Sequence, residues 1–117
     1  MEEKVLERLR YDFYGELLSP KQKLILDYYY NDDYSFAEIS ELVPMTRQGV
    51  HDAYKRAKKQ MLEYEEKLGL VERQVKTQGI LTKLIEELEF IKKETHNTVQ
   101  DQLTKVQWEM NQIIEGV

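Results

Sequence analysis

The sequence has no cysteine, a single tryptophan, two histidines, and no apolar run approaching the ~20 residues that a membrane span needs. Without cysteine there are no disulfides and no thiolate metal sites, which suits a reducing cytoplasm. No basic-then-apolar leader opens the chain, so a soluble, cytoplasmic protein without a membrane partner is expected. His51 and His96 lie far apart, with no carboxylate-histidine spacing that suggests a metal triad. Asp27, Asp32 and Asp33 lack the spacing and the terminal glutamate of a calcium loop. There is no Walker loop, nucleophile elbow or Cys/His pair. The expectation is a protein without metal, cofactor or enzymatic activity.

Strand-like alternation, internal repeats and low-complexity linkers are also missing, and what remains is helical periodicity. Val5, Leu6, Leu9, Phe13 and Leu17 step by threes and fours and predict a helix over 2–17. Ser19-Pro20-Lys21-Gln22 is a capping box with proline at the first helical position, and it opens a helix to about Tyr30 that is expected to bury Leu24, Ile25 and Tyr28. Asn31-Asp32-Asp33 ends it. Ser35 and Glu38 form a second capping box, for a short helix with Ala37, Ile39, Leu42 and Val43 as its apolar face. Pro44 has no amide hydrogen and pushes Val43 out of helical geometry, so that helix stops there.

Thr46 is the expected N-cap of the next helix. Val50, Tyr54, Ala57, Met61, Tyr64 and Leu68 carry its seam as far as Gly69, giving roughly twenty residues, ~30 Å long. Two further helices are predicted, over 71–94 (bent near Gly79) and 98–115, joined by Thr95-His96-Asn97 as an antiparallel hairpin. The fold class is therefore all-α, with a helix-turn-helix domain over 1–70 and a C-terminal helical hairpin over 71–117.

The net charge of −5 is unevenly spread. Between residues 46 and 60 five basic side chains stand against Asp52 alone, while residues 63–117 carry seven basic and eleven acidic ones. Positive charge concentrated on one helix is a nucleic-acid footprint, although a modest one on an acidic protein.

A short capped helix, a turn and a basic helix make a helix-turn-helix. The run from Ala37 to Met61 resembles region 4 of bacterial sigma factors, through Glu38-Ile39-Ser40, Leu42-Val43, Met45-Thr46-Arg47, Val50 and Arg56-Ala57. The upstream segment LLSPKQKLILDYYYNDDYS resembles one small family more closely. These are the YlxM-type DNA-binding proteins of Gram-positive bacteria, whose genes typically neighbour those of the signal recognition particle. Pro44 stands where sigma region 4 usually has the turn glycine, and proline cannot take a positive φ, so a different turn geometry is expected.

The resemblance puts Thr46, Arg47, Gln48, His51 and Asp52 where bases or nearby phosphates are met. Arg47 can fork onto guanine and Gln48 onto adenine, whereas Lys55, Arg56, Lys58 and Lys59 suit phosphates. Gly49 costs about 1 kcal/mol of helix stability relative to alanine and has no reach; Asp52 repels phosphate. The alternative is a helix-turn-helix used only as a packing unit, its basic face merely solvated. The eight tyrosines are expected in the core, with Tyr29 or Tyr30 as the exposed exceptions.

Val99, Leu103, Val106, Met110, Ile113 and Val117 form an apolar seam that must be buried, by the hairpin itself or by a second copy of the chain. A homodimer is favoured, with Trp108 as a candidate contact. Three functions compete. One is a DNA-binding regulator; another is a non-enzymatic RNA- or protein-binding accessory of the signal recognition particle, the setting that the gene neighbourhood implies. The third is a scaffold with no nucleic-acid role.

Overall fold

The computed structural model describes residues 2–116. They form six α-helices and one short 3-10 turn, and no strand occurs among the described residues. The helices are α1 (Glu3–Tyr14), α2 (Pro20–Tyr30), α3 (Phe36–Leu42), α4 (Arg47–Leu68), α5 (Leu70–Lys93) and α6 (Asn97–Gly116), with the 3-10 turn at Gly15–Leu17. The chain divides into two compact units, and the division falls within α5 after Val71.

In the first unit α4 is the common support, against which α1, α2 and α3 all pack. Ile25 of α2, Ile39 of α3, Val43 of the turn and Val50 of α4 form one buried cluster, flanked by Tyr28, Tyr29, Tyr34, Phe36, Met45 and Ala53. Full burial of each such aliphatic side chain stabilises by roughly 1.5–3 kcal/mol. The helix ends obey their local signals. Ser19 and Ser35 both close reciprocal capping boxes, with Gln22 and Glu38. Gly69 takes a left-handed φ of 62° and ends α4, a conformation in which a side chain would be strained.

The sequence expectations fail in α1. The buried line of that helix is Glu7, Tyr11 and Tyr14, while Val5 is exposed and Leu6, Leu9 and Phe13 are half-buried. Leu17 and Leu24 are exposed as well, and α2 buries Ile25 and Leu26. The cause is that polar tips on this face find partners. Tyr11 donates to Asp27, and Tyr14 donates to Glu65 at 2.6 Å. With its hydroxyl satisfied, a tyrosine gains more from burial than a smaller aliphatic residue does. None of the tyrosines is exposed, Tyr29 and Tyr30 included. Leu68, expected on the α4 seam, is exposed.

The start of α5 is fixed by the same group of residues. Glu65 accepts from the Val71 amide at 3.0 Å, and the Tyr14 hydroxyl accepts from that of Leu70 at 3.3 Å. Two amides that a new helix leaves without intrahelical partners are thereby satisfied.

The second unit is an antiparallel hairpin of α5 and α6. Gln78 Nε2 donates to the Ile114 carbonyl at 3.3 Å. Gln107 Nε2 donates to the Ile85 carbonyl and to Glu89, both at 3.0 Å, and Gln100 Nε2 donates to the Lys92 carbonyl at 2.6 Å. The helix of α5 continues without interruption through Gly79. The α6 seam splits in two: Leu103 and Met110 are half-buried, in line with Gln100, Gln107 and Ile114, whereas Val99, Val106 and Ile113 are exposed. Val117 lies outside the described residues. Side-chain amides that tie α6 to carbonyls of α5 displace part of the apolar stripe from the contact, which periodicity alone does not anticipate.

Candidate nucleic-acid interface

The turn between α3 and α4 is made without a positive φ. Val43 is extended at φ −118° and ψ 147°, the geometry that a following proline imposes. Thr46, also extended, accepts from the Gly49 amide at 3.0 Å and caps α4. A Cβ at Gly49 would stand 3.1 Å from that Thr46 hydroxyl and 3.5 Å from Met45. The glycine therefore leaves room for the cap and for the half-buried Met45, a local reason for its presence that the sequence did not reveal.

The buried side of α4 holds Val50, Ala57 and Met61. Thr46, Arg47, Gln48, Asp52, Lys55, Arg56 and Lys59 are exposed, and they cluster in the N-terminal half of the helix. Gln48 donates to Asp52 at 3.0 Å, one helical turn on, so the carboxylate is partly occupied by its neighbour's amide. Arg47, Lys55, Arg56 and Lys59 have no hydrogen-bond or ion-pair partner among the described residues. Beyond them the outward side of α4 turns acidic at Glu63 and Glu66, which limits the basic surface to about four turns.

Two of the expected contact residues sit differently. His51 is half-buried, its ring 5.1 Å from that of Phe36. With Phe36, Arg47 and Gln48 it lines a shallow cavity of 360 Å³ at the start of α4. Lys58 turns toward α1, where its ammonium lies 3.6 Å from Glu7 and 6.0 Å from the centre of the Tyr54 ring.

Glu7 is a residue that sequence reasoning passed over. It is 5% exposed, and it accepts from the Tyr30 hydroxyl at 2.6 Å and from that of Tyr54. One carboxylate of α1 thus joins α2 to the basic helix. Burial, reinforced by the bonds to Glu7, pushes both tyrosines well above their ordinary pKa, so they remain neutral donors. The tyrosine run at 28–30 was the available signal; Glu7 is one of several charged residues along α1 and carried none of its own. Among the described residues no three His, Asp or Glu side chains gather as a metal site, and no helix is long and apolar enough to cross a membrane.

The profile of one family, described as "Putative helix-turn-helix protein, YlxM / p13 like" and designated UPF0122, matches residues 1–106. The chain belongs to the UPF0122 family. A UPF0122 protein of Thermoanaerobacter sp. (strain X514) is 49% identical over 84 residues, 72% of each chain. One of Clostridium novyi (strain NT) is 37% identical over 106 residues, covering 86% of this chain and 92% of the relative. Another, from Listeria monocytogenes, is 42% identical over 76 residues, 65% of this chain and 69% of its own. This UPF0122 protein is accordingly a helix-turn-helix protein, with α3 and α4 as the motif.

Proposed function

We propose that this UPF0122 protein is a non-enzymatic regulator that binds duplex DNA, with the N-terminal half of α4 entering the major groove. The observation that supports this most is the set of four exposed, unpartnered cations, Arg47, Lys55, Arg56 and Lys59, directly behind the Thr46 cap. In this reading Arg47 and Gln48 read base edges, and Lys55, Arg56 and Lys59 hold phosphates. His51 and Phe36 form the floor beneath them rather than a reading surface. Lys58, held by Glu7, positions α4 instead of gripping the nucleic acid. The protein acts as a homodimer, since two half-sites multiply affinity and selectivity. The resemblance to YlxM-type proteins suggests the signal recognition particle pathway as the setting, where the same cations would grip RNA phosphates.

Binding assays on duplex libraries and on a structured RNA, at two salt concentrations, test the proposal. Arg47→Ala is expected to relax preference at one base position, at a cost of ~1–3 kcal/mol. Lys55→Ala is expected to weaken all sequences alike and to flatten the salt slope by about one unit. Asp52→Asn is expected to tighten binding, most of all at low salt. Losses confined to RNA move the function to the signal recognition particle. Unchanged affinity in every variant leaves a scaffold and sinks the nucleic-acid reading.

A further inference from the structure

Gln48 and Asp52 stand one helical turn apart on the exposed side of α4, and Gln48 Nε2 donates to Asp52 Oδ1 at 3.0 Å. Lys55 and Arg56 lie three and four residues beyond Asp52, where an aspartate on a helix meets a cation. Neither forms an ion pair with it. The bond from Gln48 is the one side-chain hydrogen bond that Asp52 makes among the described residues.

A free glutamine amide reads a base in either of two senses. Its terminal torsion is broad and roughly twofold, and a half-turn exchanges the accepting oxygen for the donating nitrogen. An ionised carboxylate only accepts. Asp52 therefore admits the nitrogen end of the amide and repels the oxygen end. With Nε2 turned to Asp52, Oε1 is left without a partner among the described residues. Gln48 also borders the 360 Å³ cavity that it shares with Phe36, Arg47 and His51, which leaves room beside the amide for a group projecting from a base.

We propose that Asp52 is a positioning residue. It holds the Gln48 amide with its oxygen available to the groove, so that α4 selects a base carrying an exocyclic amino group where Gln48 meets the duplex. This rests on the DNA-binding reading above and adds the class of base that is read. In the major groove adenine shows its N6 amino group and cytosine its N4 amino group, each a donor that Oε1 accepts. Guanine O6 and thymine O4 are acceptors, and against a fixed Oε1 two sets of lone pairs meet. The charge that weakens the hold of α4 on phosphate thus acts as an element that repels the wrong base.

Fluorescence anisotropy with the full chain tests this. The duplexes are those that the wild type selects from a random library, remade with each of the four base pairs at every position in turn. Gln48→Ala marks the position that Gln48 reads, as the one where the preference is levelled. There the wild type is expected to favour adenine or cytosine over guanine or thymine on one strand. Asp52→Asn keeps the shape and replaces the carboxylate with an amide that both donates and accepts, so either sense of Gln48 is tolerated. It is expected to tighten binding to every duplex through the loss of a negative charge. The preference for amino over keto bases at the marked position is expected to fall about three- to tenfold, because such a pair is weak on an open helix and stronger once an interface excludes water. Asp52→Glu keeps an acceptor-only carboxylate and is expected to keep the preference. In a Gln48→Ala chain, Asp52→Asn is expected to tighten binding without changing the ratio, since the residue through which it acts is gone. Both side chains are exposed, so helical content is expected to match the wild type in each variant.

A preference unmoved by Asp52→Asn, or lost in Asp52→Glu, overturns the proposal. So does a change of equal size in the Gln48→Ala chain, which makes Asp52 a reader in its own right. A keto base favoured at the marked position, or no position marked by Gln48→Ala, overturns it as well. In all these cases salt-dependent binding to duplexes persists and the DNA-binding reading stands. A wild type that binds no duplex refutes that reading, and this proposal falls with it.

Discussion

Glu7→Ala tests whether the basic helix is held in place by a buried carboxylate. In the folded chain Glu7 accepts from the Tyr30 and Tyr54 hydroxyls and faces the Lys58 ammonium at 3.6 Å. Hydrogen bonds to a charged group contribute ~1.5–3 kcal/mol each. The Lys58 side chain keeps 35% of its surface, so solvent screens that pair and its share is below about 1 kcal/mol. Truncation to alanine also leaves two half-buried hydroxyls without their acceptor. The expected loss is therefore ~3–5 kcal/mol, a large part of the stability of a domain this small. Glu7→Gln keeps an acceptor oxygen and loses the charge, for an expected cost of about 1–2 kcal/mol. Urea unfolding followed by circular dichroism measures both. A double-mutant cycle with Tyr54→Phe isolates the bond between α1 and α4, with an expected coupling of ~1–2 kcal/mol. A loss below about 1 kcal/mol for Glu7→Ala, or strict additivity in the cycle, refutes the reasoning.

Three further outcomes are expected. Burial and their carboxylate partners hold Tyr11, Tyr30 and Tyr54 above the ordinary value of 10.0. The stability they confer is thus complete below pH 10 and is lost as pH rises above it, at about 1.4 kcal/mol per pH unit for each. Tyrosinate absorbance and helical signal are expected to change together in alkali, and ordinary titration near pH 10 with the helices intact sinks that account. Ser35→Ala removes the capping box of α3 and is expected to cost ~1 kcal/mol, whereas Ser40→Ala, which loses only a bond to the Ala37 carbonyl, changes stability by less than about 0.5 kcal/mol; equal melting shifts would contradict this. Gly69→Ala strains a left-handed residue at φ 62° and is expected to destabilise by ~1 kcal/mol. Gly79→Ala, with open space around its added methyl, is expected to stabilise by roughly 0.5–1 kcal/mol, so the two melting temperatures move in opposite directions.

The sequence by itself determined the helices and where they end. Ser19, Ser35 and Thr46 cap, Pro44 and Gly69 stop, and these signals act within a few residues, so no knowledge of the fold is needed to read them. It also determined the helix-turn-helix and the exposed basic residues of α4, because a solvated charge stays on the surface however the remainder packs. What tertiary structure decided is which side of each amphipathic helix lies inward. In α1 the aliphatic stripe yielded to Glu7, Tyr11 and Tyr14, whose polar tips find partners only on α2 and α4. In α6 Gln107 took a buried place while Val106, its neighbour, was left outside. Lys58 was assigned to phosphate by its charge and spacing, yet it lies against a carboxylate 51 residues earlier. Periodicity records how apolar a face is. Whether a hydroxyl, an amide or an ammonium can be satisfied in the interior depends on groups that folding brings from distant parts of the chain.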